Sequence, residues 1–241
     1  MCWLAGVSWF RSGFSPHATT FIVHLILQPD ISTYKESHLK INKNWFFVIA
    51  VLFISTAEAQ QTVNGCLIKR KTSCPGVDLS GADLTKSNLS GADLAGANLS
   101  GANLSADKIT EANLIKANLS NANLSDTNLS ETYMTNANLS HANLTKANLS
   151  QSSMPDANLR ETNLAGANFS MANLNGADLT GANAKGAIFA MSSMRKTNLT
   201  NVDLTEATLL GADWREAILD GVKFCNTTMP DRSINNSGCA K

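Results

Sequence analysis

The sequence predicts an all-β solenoid, and three features carry that prediction. From Val77 to Asp231 a five-residue unit of the form Ala-Asn/Asp-Leu-polar-polar recurs without a lost step, centred on Leu79 and on every fifth residue to Met229, in 31 tandem copies. A unit this short cannot bury itself and must lean on its neighbours. The central position is Leu in 21 units, Met in four, Phe in three, and Ile, Trp and Ala once each. Two residues earlier, 19 units carry Ala and most others Ser, Thr or Val. In a locally extended unit these two positions point to the same side, so one large and one small residue per unit fill a narrow interior. The other three positions are mostly Asn, Asp, Ser, Thr, Lys, Glu and Gly, and they face water.

The repeat divides the 241 residues into a head, one domain and a short tail. Its boundaries are 1–39 for an N-terminal extension, 40–59 for a signal peptide, 60–76 for an N-terminal cap, 77–231 for the repeat and 232–241 for a C-terminal cap. Net charge is zero overall, but the repeat holds 16 acidic and 10 basic residues. A mildly acidic surface gives no basic footprint for nucleic acid.

Lys40 and Lys43 precede the apolar run Trp45–Ile54, which is followed by Ser55-Thr56-Ala57-Glu58-Ala59. A basic flank, a short hydrophobic stretch and an Ala-x-Ala end read as a secretory signal, with cleavage between Ala59 and Gln60. The run is shorter than the roughly 20 residues of a spanning helix, so no stable membrane insertion is expected after cleavage. A signal peptide normally begins close to its basic flank, so residues 1–39 read as an extension ahead of the functional start. The apolar run Phe21–Leu27 within it is also too short to span.

Cys66 and Cys74 lie just ahead of the repeat, and Cys225 and Cys239 bracket its end. Four cysteines in an exported chain favour two disulfides, for which three pairings are open. Pairing Cys66 with Cys74 and Cys225 with Cys239 is preferred, because a stiff solenoid holds its ends apart. Such staples suit end caps, since an open stack leaves backbone groups and apolar surface uncovered. The cysteine spacings are not those of a zinc motif, and His141 is the only histidine after Ala59, so no metal is expected.

The run from Ala82-Asp83-Leu84-Thr85-Lys86 through Ala97-Asn98-Leu99-Ser100-Gly101 and onward resembles the A(D/N)LxX unit of pentapeptide-repeat proteins, over the whole of 77–231. The resemblance implies a right-handed quadrilateral parallel β-helix, with four units per square coil and central residues stacked in four ladders. Thirty-one units then make nearly eight coils and, at about 4.8 Å per coil, a rod roughly 37 Å long. With a 20-residue period, one ladder reads Leu89, Ile109, Leu129, Leu149, Phe169, Phe189, Leu209, Met229, placing two large rings in direct contact. Ala184 leaves room in another ladder, which Phe189 in the next unit is expected to fill. The tail Phe224–Cys239 resembles the closing sequence of cyanobacterial-type members, in which Gly often stands where this chain has Arg232.

Asp107 occupies an inward position that normally holds Ala. One coil away stand Ser87 and Thr127, whose hydroxyls are expected to donate to the carboxylate. No second catalytic group accompanies it, so it reads as a tolerated defect, and replacing it with Ala is expected to be neutral or stabilising.

Other apparent motifs follow from composition alone. Thirteen Asn-x-Ser/Thr triplets after Ala59, including Asn88-Leu89-Ser90 and Asn226-Thr227-Thr228, arise mainly from an Asn-Leu-Ser repeat. Asn before the central residue is better explained by carboxamides stacked along the coils. Gly81, Gly91, Gly96 and Gly101 fall at unit boundaries, where a tight corner is needed, and not in a phosphate loop. His141 sits at an outward position among polar residues, so no catalytic, cofactor-binding or metal-binding residue is assigned.

The favoured reading is therefore a non-enzymatic exported rod serving as a protein-binding or scaffold surface, in a periplasm, a thylakoid-lumen-like compartment or outside the cell. Its protein partner is not encoded legibly. The alternative is a cytoplasmic DNA mimic that binds gyrase, as the best-understood members of the resembled family do. That role depends on a strongly acidic surface, which this rod lacks.

Overall fold

The computed structural model describes residues 61–239; the signal-like segment, its Ala59–Gln60 junction and the extension 1–39 lie outside them. Isolated parallel bridges join residues 20 apart, from Ser73↔Asp93 to Thr208↔Thr228. Four five-residue units therefore complete one coil, and the described chain is a parallel β-helix with no α-helix. Four faces run along it, centred on Leu79 (face 1), Leu84 (face 2), Leu89 (face 3) and Leu94 (face 4) and on every twentieth residue thereafter.

The unit centred on Leu99 explains why these residues adopt this geometry. Ala97 N–H closes a turn onto Leu94 O, while Asn98 N–H reaches back one coil to Val77 O. Leu99 and Gly101 N–H reach forward to Asn118 O and Ser120 O. The remaining donor, Ser100 N–H, is taken by the Asn98 side-chain Oδ1 at 3.2 Å. All five backbone donors are thus satisfied, the last by the Asn or Asp that the repeat demands before its central residue.

The corner follows from the turn. Every residue two beyond a central position, from Gly81 to Asn226, has φ between 55 and 71° apart from Asn226 at 51°. A positive φ at the third residue of a four-residue turn defines type II, for which Gly is the unstrained choice. Gly81, Gly91, Gly96 and Gly101 occupy such corners, but so do Glu131, His141 and Met191.

Coil geometry begins one unit earlier than the apolar pattern indicates. Cys74 N–H bonds Asp93 O and Gly76 N–H bonds Ala95 O, which makes Thr72–Gly76 a further unit whose centre is a half-cystine. Ahead of it, β1 (Thr62–Val63) and β2 (Cys66–Leu67) form an antiparallel hairpin. Asn64 and Gly65, both at positive φ, make its two-residue turn, as an Asn-Gly pair favours. Asn64 Nδ2 and Gln61 Nε2 donate to Asp78 O (2.7 Å) and Asp83 O (2.9 Å), covering carbonyls that face out of the first coil. At the other end β3 (Thr227–Thr228) and β4 (Ile234–Asn235) form a second hairpin. Gly238 N–H bonds Phe224 O at 2.7 Å, an approach so close that a Cβ on Gly238 would meet Phe224 N at 2.9 Å. Arg232 takes the left-handed conformation, at φ 73°, where Gly would be unstrained.

The interior holds the four ladders of central residues, with the Ala positions packed beside them. Phe169 and Phe189 stack with ring centroids 5.1 Å apart and an interplanar angle of 10°. Buried hydroxyls at Ala positions find backbone acceptors: Thr132, Ser152, Thr162 and Ser192 each donate to the carbonyl three residues earlier.

Asp107 is 3% exposed and only partly matches its expected surroundings. Ser87 Oγ donates to its Oδ2 at 2.5 Å, and Lys108 N–H donates to Oδ1 at 2.8 Å. Thr127 does not take part. Its hydroxyl donates to Leu104 O at 2.7 Å, because an inward Thr has a carbonyl of the previous coil within reach. Desolvation outweighs the two donors and raises the Asp107 carboxyl from 3.8 to about 6.

Two predictions follow from this core. Phe189→Leu loses the ring expected to occupy the space beside Ala184 and lowers the thermal midpoint more than Phe169→Leu, and equal losses would remove the compensation. A carboxyl whose pKa is raised by folding holds its proton more tightly in the native state, so the parent chain loses stability as pH rises from about 4 to 6. Asp107→Asn removes this loss: denaturant titrations should find the variant more stable at pH 7, by roughly 2–3 kcal/mol at most, and the advantage gone near pH 3.5.

Candidate interaction surfaces

Three of every five side chains point outward, so the candidate sites are the faces themselves. Carboxamides stack along them. On face 1, Asn98, Asn118, Asn138 and Asn158 each donate from Nδ2 to the Oδ1 of the residue one coil earlier, at 3.0–3.2 Å, starting from Asp78. Each inner Oδ1 also receives the N–H two residues on, so these Asn side chains are held at both ends. Asn123 and Asn143 on face 2 and Asn148 on face 3 continue the arrangement.

Charge is arranged in pairs, all but one of them between neighbouring coils. Arg160 meets Asp178 at 2.9 Å, Arg195 and Arg215 meet Asp213 at 3.1 and 2.6 Å, and Lys185 and Lys223 meet Asp203 at 3.5 and 3.2 Å. Hydrogen bonding from Arg215 holds the Asp213 carboxyl down at about 2. Such exposed pairs add little stability, because water screens them and each long side chain gives up rotamer freedom. Their consequence is for the field: acidic groups are neutralised locally, and no continuous anionic stripe forms on these coils.

His141 lies outward at a corner, with Nδ1 3.4 Å from Glu161 Oε2 and its side chain half exposed. The cysteines meet in two pairs: Cys66 is bonded to Cys74 and Cys225 to Cys239. Among the described residues no group of three His, Cys, Asp or Glu is placed to hold a metal, and no helix is long and apolar enough to cross a membrane. An open groove of about 440 Å³ lies at the C-terminal end, bordered by Trp214, Met229, Asp231 and Ile234. Ser233 also borders it and donates its hydroxyl and N–H to Asp231 Oδ1 at 2.6 and 3.0 Å, a local turn contact with no histidine or lysine on the lining.

Sequence reasoning missed the uneven distribution of apolar surface. Leu79, Leu84 and Leu89 in the first coil are at most 1% exposed, whereas Leu219 in the last is 38% exposed. On the flanks, Met171, Ile188, Met191 and Leu210 share face 3. Reading the outward positions at 20-residue intervals would have revealed this group.

Comparison with known proteins agrees with the geometry. The family described as Pentapeptide repeats matches in 8 copies, over residues 73–106, 112–151, 142–181, 152–195 and 197–229. QnrB1, a plasmid-mediated fluoroquinolone resistance protein, is similar in fold at 13% identity, with a TM-score of 0.55 over 65% of this chain and 76% of that one. A pentapeptide repeat protein from the Arabidopsis thaliana thylakoid lumen is 33% identical over 37% of this chain, with a TM-score of 0.37. Rfr23 of the cyanobacterium Cyanothece 51142 is 32% identical over 47%, with a TM-score of 0.34. The chain spans 63% and 61% of those two proteins. No curated protein matches the chain. The period-20 bridges, the corner at every fifth residue and a family match over most of the sequence lead to one assignment: the chain belongs to the pentapeptide-repeat family.

Proposed function

We propose that this chain is a non-enzymatic, exported rod whose flat faces serve as a binding or scaffold surface for another protein. The observation that carries the reading is the outward architecture: rows of side chains on a backbone whose donors are mostly satisfied internally present long, stiff faces. Pre-ordered faces lose little entropy when a partner docks. Members of this family are generally structural or binding proteins. Export is supported by the Lys40–Ala59 signal pattern and by the two cysteine pairs, which persist in oxidising compartments. The gyrase-binding alternative is disfavoured by the locally neutralised charge.

Intact-mass analysis of the protein recovered from its native host, with and without reduction, tests export. The expected species starts at Gln60 and gains four hydrogens on reduction, two for each cysteine pair. An uncleaved chain with free thiols would contradict export, and clear inhibition in a gyrase supercoiling assay would favour the alternative.

A further inference from the structure

We infer that face 3 is a self-association surface, through which two copies of this chain pair face to face about a two-fold axis. From Asn148 to Gly211 its twelve outward residues are Asn148, Ser150 and Gln151, then Asn168, Ser170 and Met171, then Ile188, Ala190 and Met191, then Thr208, Leu210 and Gly211. None is charged. The other three faces carry Arg160, Lys185, Arg195, Asp203, Arg215 and further charges through the same coils. Met191 is 70% exposed, Met171 55%, Leu210 39% and Ile188 37%.

These side chains are contiguous. Met171 N–H bonds Ala190 O at 2.9 Å and Met191 N–H bonds Leu210 O at 2.8 Å, so three successive coils bring them about 4.8 Å apart per step. The patch exposes apolar area on the scale that marks interaction sites on soluble proteins, a few hundred Å². Folding does not call for it. Ile188 stands where a carboxamide would continue the ladder from Asn128, Asn148 and Asn168, and with it goes the side-chain acceptor for Ala190 N–H. Local stability is given up there and apolar surface is gained.

A second copy is the occupant this face suits. Between Asn148 and Gly211 the face holds no ion to desolvate when it is buried against itself, which removes the main penalty for a dry interface along these four coils. With the axis through the Met191 row, that row meets itself and the Met171 row meets the Leu210 row. The Gln151 row then meets the Pro230 row, so Asp231, the one charge within the overlap, faces uncharged residues. Glu131, one coil further out, falls beyond the partner's last coil. Five coils give an overlap roughly 24 Å long. That corresponds to a total buried area on the order of 1,000 Å², the lower limit for a specific interface. The dimer is therefore weak and concentration-dependent, and its two-fold pairing closes on itself instead of propagating into a filament.

Sedimentation velocity of the full chain over a series reaching about 100 μM tests this. Three chains are compared: the parent, the double variant Ile188→Asn/Met191→Lys, and the control Ile218→Asn on face 1. All three changes lie at outward positions, and unchanged thermal midpoints would establish that the folds are intact. The expected result is reversible dimerisation of the parent and the control, with at least a tenfold weaker dissociation constant in the double variant. A parent that stays monomeric throughout, or a double variant that dimerises as tightly as the parent, overturns the proposal. A monomeric parent that binds phosphatidylcholine vesicles, with binding lost in the double variant, also overturns it and assigns the face to a lipid surface.

Discussion

A left-handed corner at every fifth residue is the constraint on which the rest of the structure depends. Thirty consecutive corners run from Gly81 to Asn226, and 20 of them hold a residue other than Gly. Each such residue carries a local conformational cost of roughly 1–2 kcal/mol. The corner residue also donates its own N–H to the next coil, as Glu131 does to Ser150 O at 3.0 Å. Strain is thus paid within a unit and recovered between units. The balance favours a stack over any single coil, which is why the repeat must be long and its ends covered.

The same logic separates the positions that serve folding from those left to function. The central residue and the small residue two before it are fixed by the interior, and the Asn or Asp between them supplies the acceptor for the one remaining backbone donor. The two residues after the centre are constrained only by the turn. Partner-specific chemistry is therefore expected on these positions, and wherever the Asn position is given up, as at Ile188 and Ile218. Arg160, Lys185, Arg195 and Arg215 lie on such positions and pair with Asp178, Asp203 and Asp213 at the Asn/Asp position. Apart from Tyr133 on face 4, the exposed large apolar side chains gather on face 3 and at the C-terminal end.

Much of this was legible in the sequence because the repeat never loses phase. The period of 20, the stacked rings of Phe169 and Phe189, the carboxamide ladders and the Ser87 bond to Asp107 all follow from position modulo 20. What escaped depended on competition between partners or on a disguised residue type. Thr127 prefers a backbone carbonyl to the Asp107 carboxylate because the carbonyl lies within reach in the coil behind. The unit centred on Cys74 carries no Leu, so the hydrophobic pattern passes over it. The corners were legible only where Gly stood, since Glu, Lys, His and Met give no hint of positive φ. Face 3 was hidden because Met171, Ile188 and Leu210 follow one another at separations of 17 and 22 residues in the chain and become neighbours only after coiling.

The corner can be tested at Glu131, an exposed residue outside the described ion pairs whose φ is 60°. The measurement is the unfolding free energy of Glu131→Gly and Glu131→Val against the parent chain. Gly is free in the left-handed region and a β-branched side chain is strongly opposed to it. The account therefore predicts a Gly variant at least as stable as the parent and a Val variant less stable by about 2 kcal/mol. A Gly variant that is destabilised while Val is tolerated would mean that residue 131 is extended, and the four-cornered coil would be wrong.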